Sequence, residues 1–260
     1  MRYRWLAAAV LLSAAVLSAP RSITAAPAAP AAWAVFVEYD SYGGRYPDLP
    51  VGYVNSTRML TALVRRGWPV DHLRLIRDAR DRAGLRRGLD WLAGHARAED
   101  IALLYVAGEY QFFDRDLAWG TTVPALWNRI PTAHRVLIVE TCFAERLTAA
   151  VADMSGVALP AVGRDELDWW GLHSTDRLIQ GASFTDYLAH ALEAQPAGGM
   201  PDFSAAFDVA VARARAYFHD VIAATPAALA SFHARGSYPE RQQMFPNPHL
   251  TEKKAEDVSK

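Results

Sequence analysis

The sequence has very little cysteine and almost no net charge. Only one of its 260 residues, Cys142, is a cysteine, so no intramolecular disulfide can form and a cysteine-rich metal site is excluded. The 27 basic and 28 acidic residues give a formal net charge of −1, and no nucleic-acid-binding motif is present, so we expect no nucleic-acid partner. With 52% hydrophobic and 11% aromatic residues, the chain can build one large core and is not disordered.

The N-terminus lacks a hydrophobic run long enough to span a bilayer. Arg2 and Arg4 precede an apolar run from Trp5 to Leu17, about 13 residues where a membrane span needs about 20. Small residues follow at 24–29, which is typical of a secretory signal peptide. We therefore expect residues 1–26 to be removed and the protein to be secreted or periplasmic. Retention of this segment as an anchor is the alternative, and only then is a membrane a partner.

The rest of the chain alternates continuous apolar runs with amphipathic helical patterns. The clearest runs are Ala34–Val37, Ile101–Val106 and Arg135–Val139. This alternation predicts a three-layer α/β sandwich, with a mostly parallel sheet and helices on both faces. The predicted organisation is a linker at 27–33, the α/β domain at 34–194, a helical C-terminal extension of the same domain at 195–250 and a disordered tail at 251–260.

Polar residues follow three of the predicted strands. Asp40, Glu109 and the segment Glu140–Cys142 stand at strand carboxyl ends, where ligands and chemistry gather in parallel sheets. Cys142 also lies just before a predicted helix, whose dipole and free amides would favour a thiolate. The alternative is that a lone cysteine is a small buried hydrophobic residue.

The order of these segments resembles the caspase, metacaspase and legumain clan of cysteine peptidases. Ile101 to Tyr110 (IALLYVAGEY) is similar to the strand that ends at the catalytic histidine, and Arg135 to Phe143 (RVLIVETCF) to the strand that ends at the catalytic cysteine. Gly163 to Trp170 resembles the acidic, tryptophan-bearing loop after the next strand, and Gly181 to Leu188 the helix start that follows. The resemblance implies a caspase-like fold, a nucleophilic Cys142 and a peptide or protein as substrate or partner.

Two positions depart from the family pattern. Glu109 stands where the family has its histidine, and the usual Cys-x-Ser-Gly turn is here Cys142-Phe143-Ala144-Glu145. Loss of a proton-transfer group typically costs on the order of 10²–10⁴-fold in rate. If Glu109 and Glu140 both lie near the thiol, their negative charges raise its pKa. We therefore predict that Cys142 is a poor nucleophile at neutral pH.

Several further residues are candidates for the site. His173, in the loop after the fifth predicted strand, is an alternative base. By resemblance, Glu140 would line the pocket for the P1 side chain and favour a basic or amide residue; alternatively, it caps the following helix. Asp40, Asp165 and Trp169 are weaker substrate-binding candidates, placed by loop position alone.

Three functions remain open from the sequence. The first is a degenerate cysteine peptidase that binds a peptide or partner at the strand ends. The second is an active cysteine endopeptidase in which Cys142 works with an unusual base. The third is a domain that binds Ca²⁺ or Mg²⁺ through Glu109, Glu140 and Asp40 or Asp165, because carboxylate oxygens suit these cations. For the first two we expect no cofactor and no metal.

Overall fold

The computed structural model describes residues 30–49, 53–77, 82–168, 182–196, 200–217, 220 and 251–253. The elements in chain order are β1 (Ala32–Glu38), α1 (Val54–Arg65), a 3₁₀ turn (Val70–His72), β2 (Leu73–Arg77), α2 (Arg82–His95), β3 (Ile101–Ala107), a π-helical turn (Phe112–Asp116), α3 (Trp119–Trp127), β4 (His134–Glu140), α4 (Ala144–Thr148), a 3₁₀ turn (Ala149–Val151), β5 (Gly156–Pro160), α5 (Ser183–Ala194), α6 (Phe203–Tyr217) and β6 (Thr251–Lys253). The predicted signal peptide, Trp169 and His173 lie outside these ranges.

The strands form one sheet in the order β2-β1-β3-β4-β5-β6. Strands β1 to β5 are parallel, and β6 pairs antiparallel with β5. All seven residues of the central strand β3 are buried, as a continuous apolar run predicts for a strand covered on both faces. The predicted α/β class, with a mostly parallel sheet, is confirmed.

Helices cover both faces of the sheet and enclose two hydrophobic cores. The first core joins the sheet to α2, α3 and α4 through residues that include Val35, Leu89, Leu104, Trp119, Trp127 and Leu147. The second joins it to α1, α5 and α6 through residues that include Phe36, Met59, Leu63, Phe184, Leu188 and Phe207. The side chains of Glu38 and Glu140 stand on this second face, because they follow Phe36 and Ile138 with the two-residue period of a strand.

Two boundaries differ from the sequence prediction. Strand β1 begins at Ala32, within the predicted linker, because its first residues pair with Ile101 and Ala102 of β3. The tail predicted to be disordered begins instead with β6, which pairs with β5 through Ala158↔Thr251 and its neighbours. Backbone pairing with a sheet edge needs no apolar side chains, so low apolar content gave no sign of this strand.

No helix among the residues that the structure covers is long and apolar enough to cross a membrane.

Candidate functional site

The parallel sheet brings four of the predicted site residues, Asp40, Glu109, Glu140 and Cys142, to neighbouring strand ends at one edge. Glu38 of β1, Ala107 of β3 and Glu140 of β4 stand in register, so the turns after β3 and β4 lie side by side. The backbone N–H of Gly108 donates to the carbonyl of Glu140 at 3.2 Å. Glu109 and Cys142 therefore follow directly from two adjacent strand ends.

The turn after β3 is held by the loop after β1. The backbone N–H of Glu109 donates to the phenol oxygen of Tyr42 at 2.8 Å, and the Tyr42 hydroxyl donates to the carbonyl of Tyr39. Gly108 has a φ of 149°, and a Cβ there would lie 2.8 Å from the Tyr42 hydroxyl oxygen and 3.1 Å from the Tyr39 carbonyl oxygen. Glycine is thus required where the two loops meet, and this contact fixes the backbone of Glu109.

The turn that carries Cys142 is tight and aromatic. Phe143 has a φ of 55°, in the left-handed region, and its N–H donates to the carbonyl of Glu166 at 2.8 Å. Its ring packs against Tyr110 at 5.4 Å between centroids, and the Arg146 guanidinium lies 4.9 Å from the Phe143 ring centroid. The helix that follows has only five residues, so the helix dipole expected from the sequence comes from little more than one turn.

The loop after β5 is fastened to this turn. The N–H of Arg164 donates to Oε2 of Glu145 at 2.8 Å, and Nη2 of Arg146 donates to Asp165 at 2.5 Å. Within the loop, the N–H of Gly163 donates to Oε2 of the buried Glu166 at 2.7 Å. These contacts carry the chain to Asp168, which acts electrostatically on both Glu140 and Cys142.

The thiol of Cys142 is held in its protonated form. The residue is partly exposed, yet burial of the thiol, together with the negative charges of Asp168 and Glu109, raises its pKa to about 12. The thiolate is therefore a minor species at pH 7. The direction agrees with the sequence expectation, but the charged groups differ from those expected: Asp168 acts most strongly, and Glu140 is not among the groups that dominate the shift.

Glu140 is a buried carboxyl group bound to the start of α5. It is 1% exposed, its Oε2 accepts a hydrogen bond from the Thr185 hydroxyl, and its carboxyl group also accepts from the Thr185 backbone N–H. The Thr185 hydroxyl also meets the Tyr105 hydroxyl at 2.7 Å. Burial and the charge of Asp168 raise the pKa of Glu140 well above its usual range. The alternative that Glu140 caps the following helix α4 is wrong, because its hydrogen bonds go to the start of α5; its role in a P1 pocket stays a prediction.

A second buried carboxyl group, Glu38, binds the start of α1 in the same way. Its Oε2 accepts from the backbone N–H of Ser56 at 2.8 Å and from the Ser56 hydroxyl. Burial raises the pKa of Glu38. Asp40 lies close by and accepts from the N–H of Tyr53 at 2.6 Å. Both acids of this strand end thus bind the first turn of α1.

The remaining candidates are Asp165, Trp169 and His173. Asp165 is 66% exposed and forms an ion pair with Arg146 on the outside of its loop. Trp169 and His173 fall outside the residues that the structure describes. Within those residues, no group of three or more His, Cys, Asp or Glu side chains is arranged to hold a metal ion.

Comparisons with solved structures agree with this architecture. Caspase-1 from Spodoptera frugiperda superposes with a TM-score of 0.56 at 12% identity, covering 87% of this chain and 88% of that one. A second solved structure, pro-sf-caspase-1, superposes with a TM-score of 0.54 at 13% identity, covering 87% of this chain and 92% of that one. The chain has a caspase-like fold. The sequence matches no protein-family model and no curated protein.

The sequence analysis of this caspase-like domain missed three polar residues. Asp168 belongs to a loop segment that was noted only as acidic, and no periodicity marks which of its carboxylates turns toward Cys142. Thr185 meets Glu140 across 45 residues of sequence, so no local pattern links them. Glu38 could have been found from the sequence. It is the acid at the end of a buried apolar strand, and a buried carboxyl group needs a hydrogen-bond partner.

Proposed function

We propose that this chain is a secreted caspase-like domain that binds a peptide at the carboxyl ends of β1, β3 and β4 without cleaving it. The observation that carries the proposal is the Cys142 thiol, whose pKa is raised to about 12 beside Asp168 and Glu109. A thiol nucleophile acts as the thiolate and needs a group that passes a proton to the leaving amine. The raised pKa works against the first requirement, and this chain has Glu109 at the position where the family resemblance expects the histidine that meets the second.

The charge of the site indicates which peptides it binds. Glu109 and Asp168 both act electrostatically on the Cys142 thiol, and both are acidic. A cationic side chain is attracted to such a cluster, whereas a carboxylate is repelled. We therefore propose an arginine or lysine side chain as the recognised group, and disfavour aspartate.

Peptide binding tests this proposal directly. Fluorescently labelled peptides that differ only in one residue, arginine, its neutral isostere citrulline, or aspartate, are titrated with the protein and followed by anisotropy. We expect the arginine peptide to bind at least about tenfold more tightly than the citrulline peptide, equivalent to about 1.4 kcal/mol. Binding should persist in Cys142→Ala. Equal affinity for all three peptides would contradict the recognition of a cation.

Cleavage of the same peptides tests the active alternative. Long incubation with the wild-type protein followed by mass spectrometry should return intact peptides. Cleavage that is lost in Cys142→Ala would establish an active cysteine peptidase, and Glu109→Gln and His173→Ala would then identify its base. A calcium-dependent rise in the thermal midpoint of Cys142→Ala would favour the cation-binding alternative instead, because a ligand of the native state stabilises it.

Export is tested separately. N-terminal sequencing of the protein recovered outside the cytoplasm should show a cut close to residue 26, while an intact Met1 on a membrane-bound product would favour the anchor.

A further inference from the structure

Arg135 is a buried cation at the opposite end of β4 from Glu140. It is the second residue of this strand and is 9% exposed. Side chains alternate along a strand, so Arg135 stands on the same face of the sheet as Leu137 and Val139, against the core that contains α3. A guanidinium stays protonated in proteins. This position therefore places a full positive charge among apolar side chains.

Only neutral groups bind this guanidinium. Nη1 donates to the carbonyl of Trp127 at 2.8 Å, and Nη2 donates to the hydroxyl of Ser155. Among the residues that the structure describes, no carboxylate forms an ion pair with Arg135, and burial lowers its pKa with no acid to oppose that shift. Trp127 ends α3, and the carbonyl end of a helix supplies at most about half a negative charge. The charge of Arg135 is therefore only partly compensated.

Two hydrogen-bond donors at this place remain unused. Nε of Arg135 is buried and has no acceptor within the described part of the chain. The Ser155 hydroxyl accepts from Nη2, and its own proton is still available, because a hydroxyl both accepts and donates. Buried donors and buried charges are costly without a partner. Both donors therefore favour an acceptor, and the guanidinium favours one that carries a negative charge.

A small cavity adjoins these donors. Both residues that bind the guanidinium line it, and the other lining residues include Val151, Met154 and Gly156. Its volume is about 10 Å³, which is room for one particle of the size of a water molecule. The wall of the cavity lies close against β4, since a Cβ on Gly156 would be 2.4 Å from the carbonyl oxygen of Arg135. Phosphate, sulfate and carboxylate ligands are too large for this space, whereas a monatomic anion is close to its size.

We propose that Arg135 and Ser155 bind one chloride ion in this cavity. The chloride accepts hydrogen bonds from Nε of Arg135 and from the Ser155 hydroxyl, and it neutralises the guanidinium. Because Arg135 also binds the last residue of α3, the ion joins α3, β4 and the start of β5. The site is independent of the proposed function, which lies at the other end of the strands.

A water molecule is the competing occupant. It has the right size and accepts hydrogen bonds, but it leaves the charge of Arg135 uncompensated. The concentration of chloride distinguishes the two, because an ion that binds only the native state stabilises that state.

Urea unfolding measures this dependence. The full chain is unfolded in sodium gluconate, whose anion is too large for the cavity, and the gluconate is then replaced stepwise by chloride at constant ionic strength. Above the dissociation constant, we expect the ratio of folded to unfolded protein to rise about tenfold for each tenfold rise in chloride. A ratio that does not change with chloride overturns the proposal.

Matched variants separate the site from general effects of salt. Arg135→Met removes the charge and Nε at similar side-chain length, so the folded ratio should no longer depend on chloride. Arg129→Gln removes an exposed arginine that pairs with Asp90, and it should keep the wild-type dependence. Ser155→Ala keeps the charge and loses one donor, so the dependence should move to higher chloride concentrations. Equal dependence in the wild type and Arg135→Met would overturn the proposal.

Diffraction gives a test that does not require any variant to fold. Crystals of the wild-type protein grown in chloride are measured at a long wavelength, where chloride scatters anomalously and water does not. We expect an anomalous peak in contact with Nε of Arg135 and Oγ of Ser155. Density there without an anomalous signal identifies a water molecule and overturns the proposal.

Discussion

At the residue scale, the reactivity of Cys142 depends on one loop carboxylate. Asp168 is the strongest charged contributor to the raised pKa of the thiol, after burial itself. We expect Asp168→Asn to lower that pKa and to speed alkylation by iodoacetamide at pH 8, about tenfold for each unit of pKa removed. Since burial remains, the pKa should stay above the usual value for cysteine of about 8.5.

Asp165→Asn is the matched control for this measurement. It removes a charge from the same loop, at a position 66% exposed and paired with Arg146. Its alkylation rate should equal that of the wild type. If both variants accelerate alkylation equally, the total charge of the loop, and not the position of Asp168, determines the pKa of the Cys142 thiol.

Glu109 gives the second prediction at this scale. Glu109→His replaces a negative charge by a group that can exchange protons with the thiol and with a leaving amine. We expect cleavage of an arginine peptide to appear in Glu109→His/Asp168→Asn, on the order of 10²–10⁴-fold above Glu109→Gln/Asp168→Asn, the effect of a positioned acid–base group. Mass spectrometry of the products checks this. Equal rates in the two double variants would mean that position 109 cannot serve as the base.

Sequence reasoning reached part of this chemistry. It placed Glu109 and Cys142 at one sheet edge, because both follow continuous apolar runs and parallel strands end together. It also gave the direction of the thiol pKa shift. It could not give Asp168 its role, since the fold of a loop follows from contacts such as Phe143 N–H to Glu166 O, which have no sequence period.

At the element scale, helix α2 depends on a close approach to the sheet. A Cβ on Gly88 would lie 2.8 Å from Cγ1 of Val35 and 2.9 Å from Cδ1 of Ile76, whereas a Cβ on Gly94 would meet nothing within 4 Å. Overpacking costs about 1–3 kcal/mol, and Ala is worth up to about 1 kcal/mol more than Gly within a helix. Val35 is fully buried and cannot move aside.

We therefore expect opposite effects from the two glycines. Gly88→Ala should lower the free energy of unfolding by about 1–2 kcal/mol, and Gly94→Ala should raise it by about 0.5 kcal/mol near the end of the helix. Urea unfolding of both variants measures the difference. Stabilisation by Gly88→Ala would show that α2 can move off the sheet at no cost.

The strands and helices themselves were predictable for a physical reason. A strand covered on both faces needs an unbroken apolar run, and β3 and β4 are read from the sequence on that basis alone. Strand β6 was not predictable, because pairing with β5 through the backbone needs no apolar run and the sequence Thr251-Glu252-Lys253 contains none.

At the scale of the whole molecule, the fold persists at 12–13% identity to solved caspase structures. The two cores require apolar side chains of suitable volume at the right period, and many sequences meet that requirement. The residues at the strand ends are under no such constraint, so a caspase-like fold does not by itself imply peptidase chemistry. Function in this chain has to be argued from Glu109, Glu140, Cys142 and Asp168.

The two buried acids also set how stability depends on pH. The pKa values of Glu38 and Glu140 are both raised in the folded protein, mainly by burial. Such groups contribute stability that is fully present below the unfolded pKa of about 4.3 and is lost as pH rises toward their folded values. The lowered pKa values of Asp100 and Glu193 act in the opposite direction, but their contribution changes only below about pH 4.3 and is constant above it.

We therefore expect the free energy of unfolding to fall as pH rises from 5 to 6, by up to about 1.4 kcal/mol per unit for each acid that still holds its proton. Urea unfolding at closely spaced pH values measures the slope. Glu140→Gln has no carboxyl group to titrate, so its slope should be smaller than that of the wild type by up to one proton, even if its overall stability is lower. A wild-type stability that rises through this range would mean that Glu38 and Glu140 are ionised in the folded protein and that solvent or a counter-ion reaches them.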